Sequence, residues 1–213
     1  MVHPYAIQPR TPWQRFGVWA LQRLGWTPVM APPPGQKFVL VGYPHTSNWD
    51  FLYALLWGMA SGTRFRWVGK KELFPPVLGV VMRWLGGIPV DRAKAGGDFV
   101  GQVARIFEQH DNLWVVVAAE GTRSRAPYWK SGFYYMALKA RVPIALAYID
   151  YRKKEVGVGG YLTPTGDLEA DFEQIRAFYQ DKVGKDPASK APSASNPKHG
   201  PPSSLAKASP RLS

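Results

Sequence analysis

An α/β fold is what this 213-residue sequence predicts: layered, with a mostly parallel sheet flanked by helices and an N-terminal amphipathic helix. Three observations carry that expectation. Strand-like and helix-like segments alternate from residue 37 to residue 182, a pattern that builds a parallel sheet with helices on its faces. The segment "LWVVVAA" (113–119) is apolar throughout, as expected of a strand buried on both faces. The length and a hydrophobic content of 46% allow one domain with a real core.

The elements follow in order. Residues 12–26, "PWQRFGVWALQRLGW", predict a first helix. Trp13, Phe16, Gly17, Ala20, Leu21 and Leu24 recur at helical spacing, with Gln14, Arg15, Gln22 and Arg23 off that stripe. Trp and Arg on such a helix suit a membrane interface; a helix packed on the core reads the same way. "APPPG" (31–35) is a linker. Strands are expected at 37–43, 64–69, 87–91, 113–119 and 142–149, and helices at 48–60, 76–85, 98–110, 128–140 and 168–182. From Gly184 the chain turns rich in Pro, Ser, Ala and Lys without an apolar period, which predicts a disordered tail. The division is thus 1–35 helix and linker, 36–183 globular domain, and 184–213 tail.

Composition narrows the function. No cysteine is present, which excludes disulfides, thiolate metal sites and a Cys nucleophile and suits the cytosol. The formal net charge of +12 favours anionic partners: nucleic acid, anionic lipid surfaces or phosphorylated substrates. No uncharged apolar run reaches the length of a transmembrane helix, and "MVHPYAIQPRTP" has no signal-peptide pattern.

The stretch "YPHTSNWDF" (43–51) sets His45 and Asp50 five positions apart in a chain with four histidines. On a helix that spacing turns the side chains apart by roughly 140°. On a strand it sends them to opposite faces, roughly 16 Å apart. They meet only where a strand ends and a helix begins, and "KFVLVGY" before and "SNWDFLYALLWGMA" after read that way. Ser47 is a good N-cap, and Asp50 three residues later approaches a capping box. Asp50 as a helix cap and His45 as a satisfied turn histidine stand beside the catalytic reading.

Three further motifs follow. "AAEGTRSR" (118–125) comes directly after the buried strand. Its Gly lets a backbone approach, and Thr and Arg donate hydrogen bonds, so it can form an anion pocket. "GGIPVDR" (86–92) ends an apolar strand in Asp91-Arg92, and ligands of α/β sheets sit at strand ends. In "RVPIALAYI" (141–149), Pro143 opens a buried strand. A polar surface loop, a surface ion pair and a core strand are the plain readings of these three. His3, His110 and His199 are scattered, and no metal cluster is visible.

Taken in order, H-x4-D, G-x-I-x-x-D-R, E-G-T-R-S and V-P-I resemble the glycerolipid acyltransferase family of lysophosphatidic acid and glycerol-3-phosphate acyltransferases. "YWKSGFYYMA" (128–137) is similar to that family's K-x-G segment. The resemblance covers about residues 37–149, and it is weaker to Tyr179. It implies that His45 is the general base and Asp50 its orienting partner. It also implies that Arg92, Glu120, Gly121, Thr122 and Arg123 bind a phosphorylated glycerol acceptor, while Pro143 and its strand shape a pocket. No bound cofactor is expected; acyl-CoA or acyl-carrier protein is the donor substrate. The implied partners are an anionic membrane surface, the acyl donor and a lysophospholipid acceptor, without nucleic acid, and the implied location is cytoplasmic and peripheral on the membrane.

This chain departs from the family pattern twice. Ala118-Ala119 stand where Phe-Pro usually precedes the Glu, and Leu146 stands where a second Pro is usual. These departures leave acyl transfer to another polar lipid or a glycan open. A non-catalytic basic binding protein is the alternative of a different class.

Overall fold

The computed structural model describes residues 4–44, 47, 49–90, 99–118, 129 and 131–185. Among them run β1 (Tyr5–Ala6), α1 (Pro12–Arg23), β2 (Thr27–Met30), β3 (Lys37–Gly42), α2 (Trp49–Ser61) and β4 (Phe65–Lys70). A 3-10 turn (Lys71–Leu73), α3 (Pro76–Trp84), β5 (Gly87–Val90), α4 (Phe99–Glu108) and β6 (Leu113–Ala118) follow. The order closes with α5 (Gly132–Ala140), β7 (Ile144–Asp150), β8 (Glu155–Leu162) and α6 (Leu168–Tyr179).

The strands form one sheet in the order β1-β2-β8-β7-β3-β6-β4-β5. Pairing is parallel throughout, except between β1 and β2 and between β7 and β8. The mostly parallel α/β sheet expected from the alternation is therefore present. β3 lies between β6 and β7, and Gly42 registers with Ala118 on one side and Ala147 on the other. The chain winds outward to β4 and β5, returns to insert β6, and then crosses β3 to lay down β7. Such a switch opens a crevice at the carboxyl ends of the strands.

Alternation along the strands separates two cores. Phe38 and Leu40 of β3, Trp114 of β6 and Ala145 of β7 face Val18, Leu21, Trp26, Trp57 and Ala60. Val39, Val41, Leu113, Val115 and Ile144 face the other way, against Val103 and Phe107 of α4, Phe133 of α5, and Phe172 and Tyr179 of α6. Both faces are covered, so the central strands read as unbroken apolar runs. Trp67 of β4 stacks on Phe74, and a Cβ on Gly87 would meet both rings, which sets α3 on the same face as α1 and α2.

Helix α1 ends three residues before the expected position. It starts at a full capping box, in which Thr11 Oγ1 accepts from Gln14 N–H and Gln14 Oε1 accepts from Thr11 N–H. Its packed face differs from the predicted stripe. Gly17 and Leu21 are buried, and so is Val18, which lay outside the stripe; Trp13, Phe16 and Leu24 are exposed. Gly17 is the reason. A Cβ there would stand 2.5 Å from the Ala60 nitrogen and 2.9 Å from the Leu56 carbonyl oxygen, so α1 presses its glycine onto the α2 backbone.

Three strands were not expected: β1, β2 and β8. β2 carries Pro28 within four residues, and β8 carries three glycines, so both are poor in local strand signal. Pairing makes them strands: β2 lies beside β8 from Thr27 and Glu155 to Met30 and Val158, and β8 also pairs with β7 from Ile144 and Leu162 to Asp150 and Glu155. Trp57 ties α2 to this edge by donating from Nε1 to the Val29 carbonyl at 3.0 Å. Helix α5 begins at Gly132, later than the predicted 128. Gly184 is still buried, and the tail from 186 onward lies outside the described residues.

Gly17→Val tests the α1–α2 contact. Helix propensity favours the change by a few tenths of a kcal/mol. Overpacking against a backbone costs about 1–3 kcal/mol. The urea midpoint is expected to fall by the larger amount with the slope unchanged; an unchanged or raised midpoint would contradict the packing argument.

Candidate functional site

The chain leaves β3 through Tyr43 and Pro44, whose peptide bond is cis, and re-enters regular structure at Trp49. Asp50 sits in the first turn of α2 and is 2% exposed. The capping arrangement expected of Ser47 and Asp50 is present. Ser47 N–H donates to Asp50 Oδ2 at 2.9 Å, and Ser47 Oγ accepts from Trp49 N–H at 3.3 Å. Capping is not the whole of Asp50's surroundings. The Tyr151 hydroxyl, from just beyond β7, donates to Asp50 Oδ1 at 2.7 Å.

Tyr151 is itself held on several sides. Its backbone N–H donates to the Val183 carbonyl at 2.8 Å. Its ring meets Trp26 edge-on at 4.8 Å and Tyr53 at 6.2 Å, and the Lys154 ammonium lies 5.6 Å from its centroid. Burial raises its pKa, and the hydrogen bond to Asp50 raises it further. The phenol therefore stays protonated and stays a donor across the physiological range.

Asp50 borders a cavity of about 180 Å³ between α2 and the sheet. Asp50, Phe51, Ala54 and Trp57 line it from the helix, a run of roughly 10 Å at 1.5 Å per residue. Leu40, Phe65, Val116 and Ile149 line it from the strands. Among its described lining residues Asp50 is the one with a carboxyl group. The arrangement is an apolar slot with a buried carboxyl group at the end where β3 stops.

The slot's floor is fixed from below. Tyr179 places its hydroxyl 2.9 Å from the carbonyl oxygens of both Val41 and Ala147, astride the β3–β7 seam. Tyr43 packs edge-on against Trp129 at 4.7 Å and Tyr179 at 5.3 Å. Burial pushes the Tyr179 pKa well up, so it too remains a donor.

Of the seven residues assigned catalytic or acceptor-binding roles from the sequence, Asp50 is described. His45, Arg92, Glu120, Gly121, Thr122 and Arg123 lie outside the described residues, as do Ala119 and Asp91. The strands that lead to them are described. β3, β6, β4 and β5 run parallel, so their carboxyl ends share one edge of the sheet. The expectation for Pro143 needs correction. Its strand does line the slot, through Ala147, Tyr148 and Ile149, but Pro143 stands at the opposite end of β7, roughly 20 Å away along the strand. Leu146 is buried on the far face of the sheet, among the α4, α5 and α6 side chains, so that departure falls outside the slot. His110 Nδ1 lies 2.9 Å from the Ile106 carbonyl at the end of α4, a local contact. No cluster able to hold a metal ion occurs among the described residues. Sequence reasoning missed Tyr151, for which no motif spacing gave a signal across 101 positions.

A family model described as Acyltransferase matches residues 30–149. Comparison with curated proteins gives no match. Among solved structures, the chain is similar to the crystal structure of the 1-acyl-sn-glycerophosphate (LPA) acyltransferase PlsC from Thermotoga maritima. The identity is 17%, the TM-score 0.53, and the match covers 81% of this chain and 80% of that one. At that identity the likeness is one of fold.

Tyr151→Phe removes one donor from a buried carboxyl group. The expected loss of stability at neutral pH is about 1.5–3 kcal/mol, the range for hydrogen bonds to charged groups. The pH dependence has a definite sign. A raised tyrosine pKa gives stability that is complete below the unfolded value near 10 and is lost as pH rises above it. Between pH 10 and 12, unfolding free energy should fall less steeply in Tyr151→Phe than in the unmutated chain. Equal slopes would show that Tyr151 is not held as a protonated donor.

Proposed function

Because the chain belongs to the acyltransferase family, we propose that it is a glycerolipid O-acyltransferase. It moves a fatty acyl group from acyl-CoA or acyl-carrier protein to the hydroxyl of a lysophospholipid, with lysophosphatidic acid as the first candidate. The observation that carries this reading is Asp50, buried at the end of an apolar slot and gripped by Ser47 N–H and Tyr151 hydroxyl. A carboxyl group so fixed is suited to orient an imidazole and to stabilise its cation. His45 lies five residues earlier in the same β3–α2 connection.

The reaction balances without an enzyme nucleophile. The acceptor hydroxyl oxygen attacks the thioester carbonyl carbon as His45 takes its proton. The tetrahedral intermediate collapses, the carbon–sulfur bond breaks, and the imidazolium returns the proton to the departing thiolate. The products are an ester and a free thiol. Arg92, Glu120, Gly121, Thr122 and Arg123 bind the phosphorylated acceptor, the two guanidinium groups meeting its phosphate, a role supported by β5 and β6 ending on the same sheet edge as β3. The slot takes the acyl chain, since its lining is apolar beyond Asp50. The enzyme works from the cytoplasmic side as a peripheral membrane protein. No helix among the described residues is long and apolar enough to cross a membrane. Membership of an acyltransferase family displaces the reading as a non-catalytic binder.

The test is thiol release from acyl-CoA that depends on added lysolipid, with the lipid products analysed. His45→Ala is expected to lower turnover by about 10²–10⁴-fold. Arg92→Ala or Arg123→Ala is expected to cost about 10–150-fold in kcat/KM on lysophosphatidic acid and far less on monoacylglycerol, from the 1.5–3 kcal/mol of a charged hydrogen bond. Near-normal turnover in folded His45→Ala removes the catalytic assignment. Equal losses on both acceptors remove the phosphate assignment.

Ala54 lies one turn of α2 beyond Asp50 in the slot. Ala54→Trp is expected to fill the slot there. The kcat/KM for a long-chain donor should fall at least about tenfold, a change worth 1.4 kcal/mol, while butyryl-CoA is little affected. A uniform loss across chain lengths would detach the slot from the acyl group.

A further inference from the structure

The exposed large apolar side chains of the described residues gather on the helices of one sheet face. Helix α3 is the extreme case. Of its nine residues Gly79 alone is buried, while Val77 and Trp84 are 85% and 83% exposed and Leu78, Val80 and Val81 are exposed as well. A helix in a globular domain normally turns its apolar side to the core. Here the buried glycine presses on the turn that leads into the helix, where a Cβ would come within 2.8 Å of the Phe74 carbonyl oxygen, and the apolar remainder is exposed. In the same layer α1 exposes Trp13, Phe16 and Trp19, and the start of α2 exposes Trp49 and Phe51. A patch of this kind marks an interaction surface.

Charge identifies the partner. Helices α1 and α3 carry Arg15, Arg23 and Arg83 and no acidic residue. Tryptophan beside arginine on an otherwise apolar face is the composition of a helix lying at the headgroup level of an anionic bilayer. At nine residues α3 is roughly 14 Å long, about half of a bilayer's hydrocarbon thickness, so it lies in the interface and does not span it.

Resting on the reading that the enzyme acts at a membrane surface, we propose that α3 is the element that enters the bilayer. It inserts at the boundary of headgroups and acyl chains, and the exposed aromatic side chains of α1, on the same face of the sheet, meet the same surface. Insertion on this face sets the helix layer that covers the apolar slot against the lipid.

Two measurements on the full chain test this. In the first, the protein is sedimented with vesicles of phosphatidylcholine and phosphatidylglycerol. The double substitution Val80→Asp, Trp84→Asp is expected to weaken partitioning at least about tenfold. It should leave the thermal midpoint unchanged, since both side chains are exposed. In the second, the absence of cysteine is used. Val80→Cys, labelled with an environment-sensitive fluorophore, is expected to shift its emission to the blue when vesicles are added. Sedimentation of the double variant equal to that of the unmutated chain, or an unshifted label, overturns the role of α3 and leaves a membrane enzyme standing. An unmutated chain that ignores the vesicles overturns both. A dimer present without vesicles and broken by the double substitution assigns the face to a second copy and overturns the proposal. Turnover on detergent-dispersed lysolipid reads the proposed reaction separately from all of these.

Discussion

The hydrogen bond from Tyr151 to Asp50 joins two halves of the molecule that have no local reason to meet. Asp50 belongs to the turn after the central strand; Tyr151 follows the strand on the far side of the topological switch. Once that bond is made, the helix start, the end of β7 and the mouth of the slot share one geometry. The aromatic packing of Trp26 and Tyr53 around Tyr151 brings in the segment after α1, and the backbone bond to Val183 brings in the segment after α6. A buried polar network of this type is high-stakes, since its worth depends on every member being satisfied. Pulling Trp26 away would loosen the tyrosine that holds the carboxyl group.

Capping and the proposed catalytic role are compatible at Asp50. The same two-oxygen group accepts a backbone N–H at one oxygen and a phenol at the other. The cap fixes where the side chain begins, and the phenol fixes how it is turned. Preorganisation of that sort lets a carboxyl group act on a neighbouring base without reorganising during the reaction. The apolar slot beside it supplies the low dielectric in which such fixed dipoles count for most.

The fold was legible in the sequence wherever its cause was local. The alternation of apolar runs and helical periods gave the layered architecture, and "LWVVVAA" announced a strand covered on both sides. Ser47 and Asp50 announced a helix start because caps act over three residues. What escaped was set by distant partners. "TPVM" is a strand through "EVGVGGYL", which pairs with β7 on its other side, and both carry weak propensity of their own. Tyr151 had no spacing to reveal it. "PVLGVVMRW" was readable as a helix, but its apolar character says nothing about which side the rest of the protein leaves uncovered. The packed side of α1 was misassigned for a related reason: glycine scores as neutral in a hydrophobic stripe, yet at Gly17 its missing side chain decides which way the helix turns.

The pairing of β2 with β8 also orders events in time. Thr27 lies beside Glu155, more than a hundred positions later in the chain. At a synthesis rate of about 5–20 residues per second, the earlier strand leaves the ribosome roughly ten seconds before its partner exists. Through that interval, among the described residues, it has the two residues of β1 to pair with on one edge. Trp26, which precedes it and backs the tyrosine that holds Asp50, is thus made well before Tyr151, the ring it packs against.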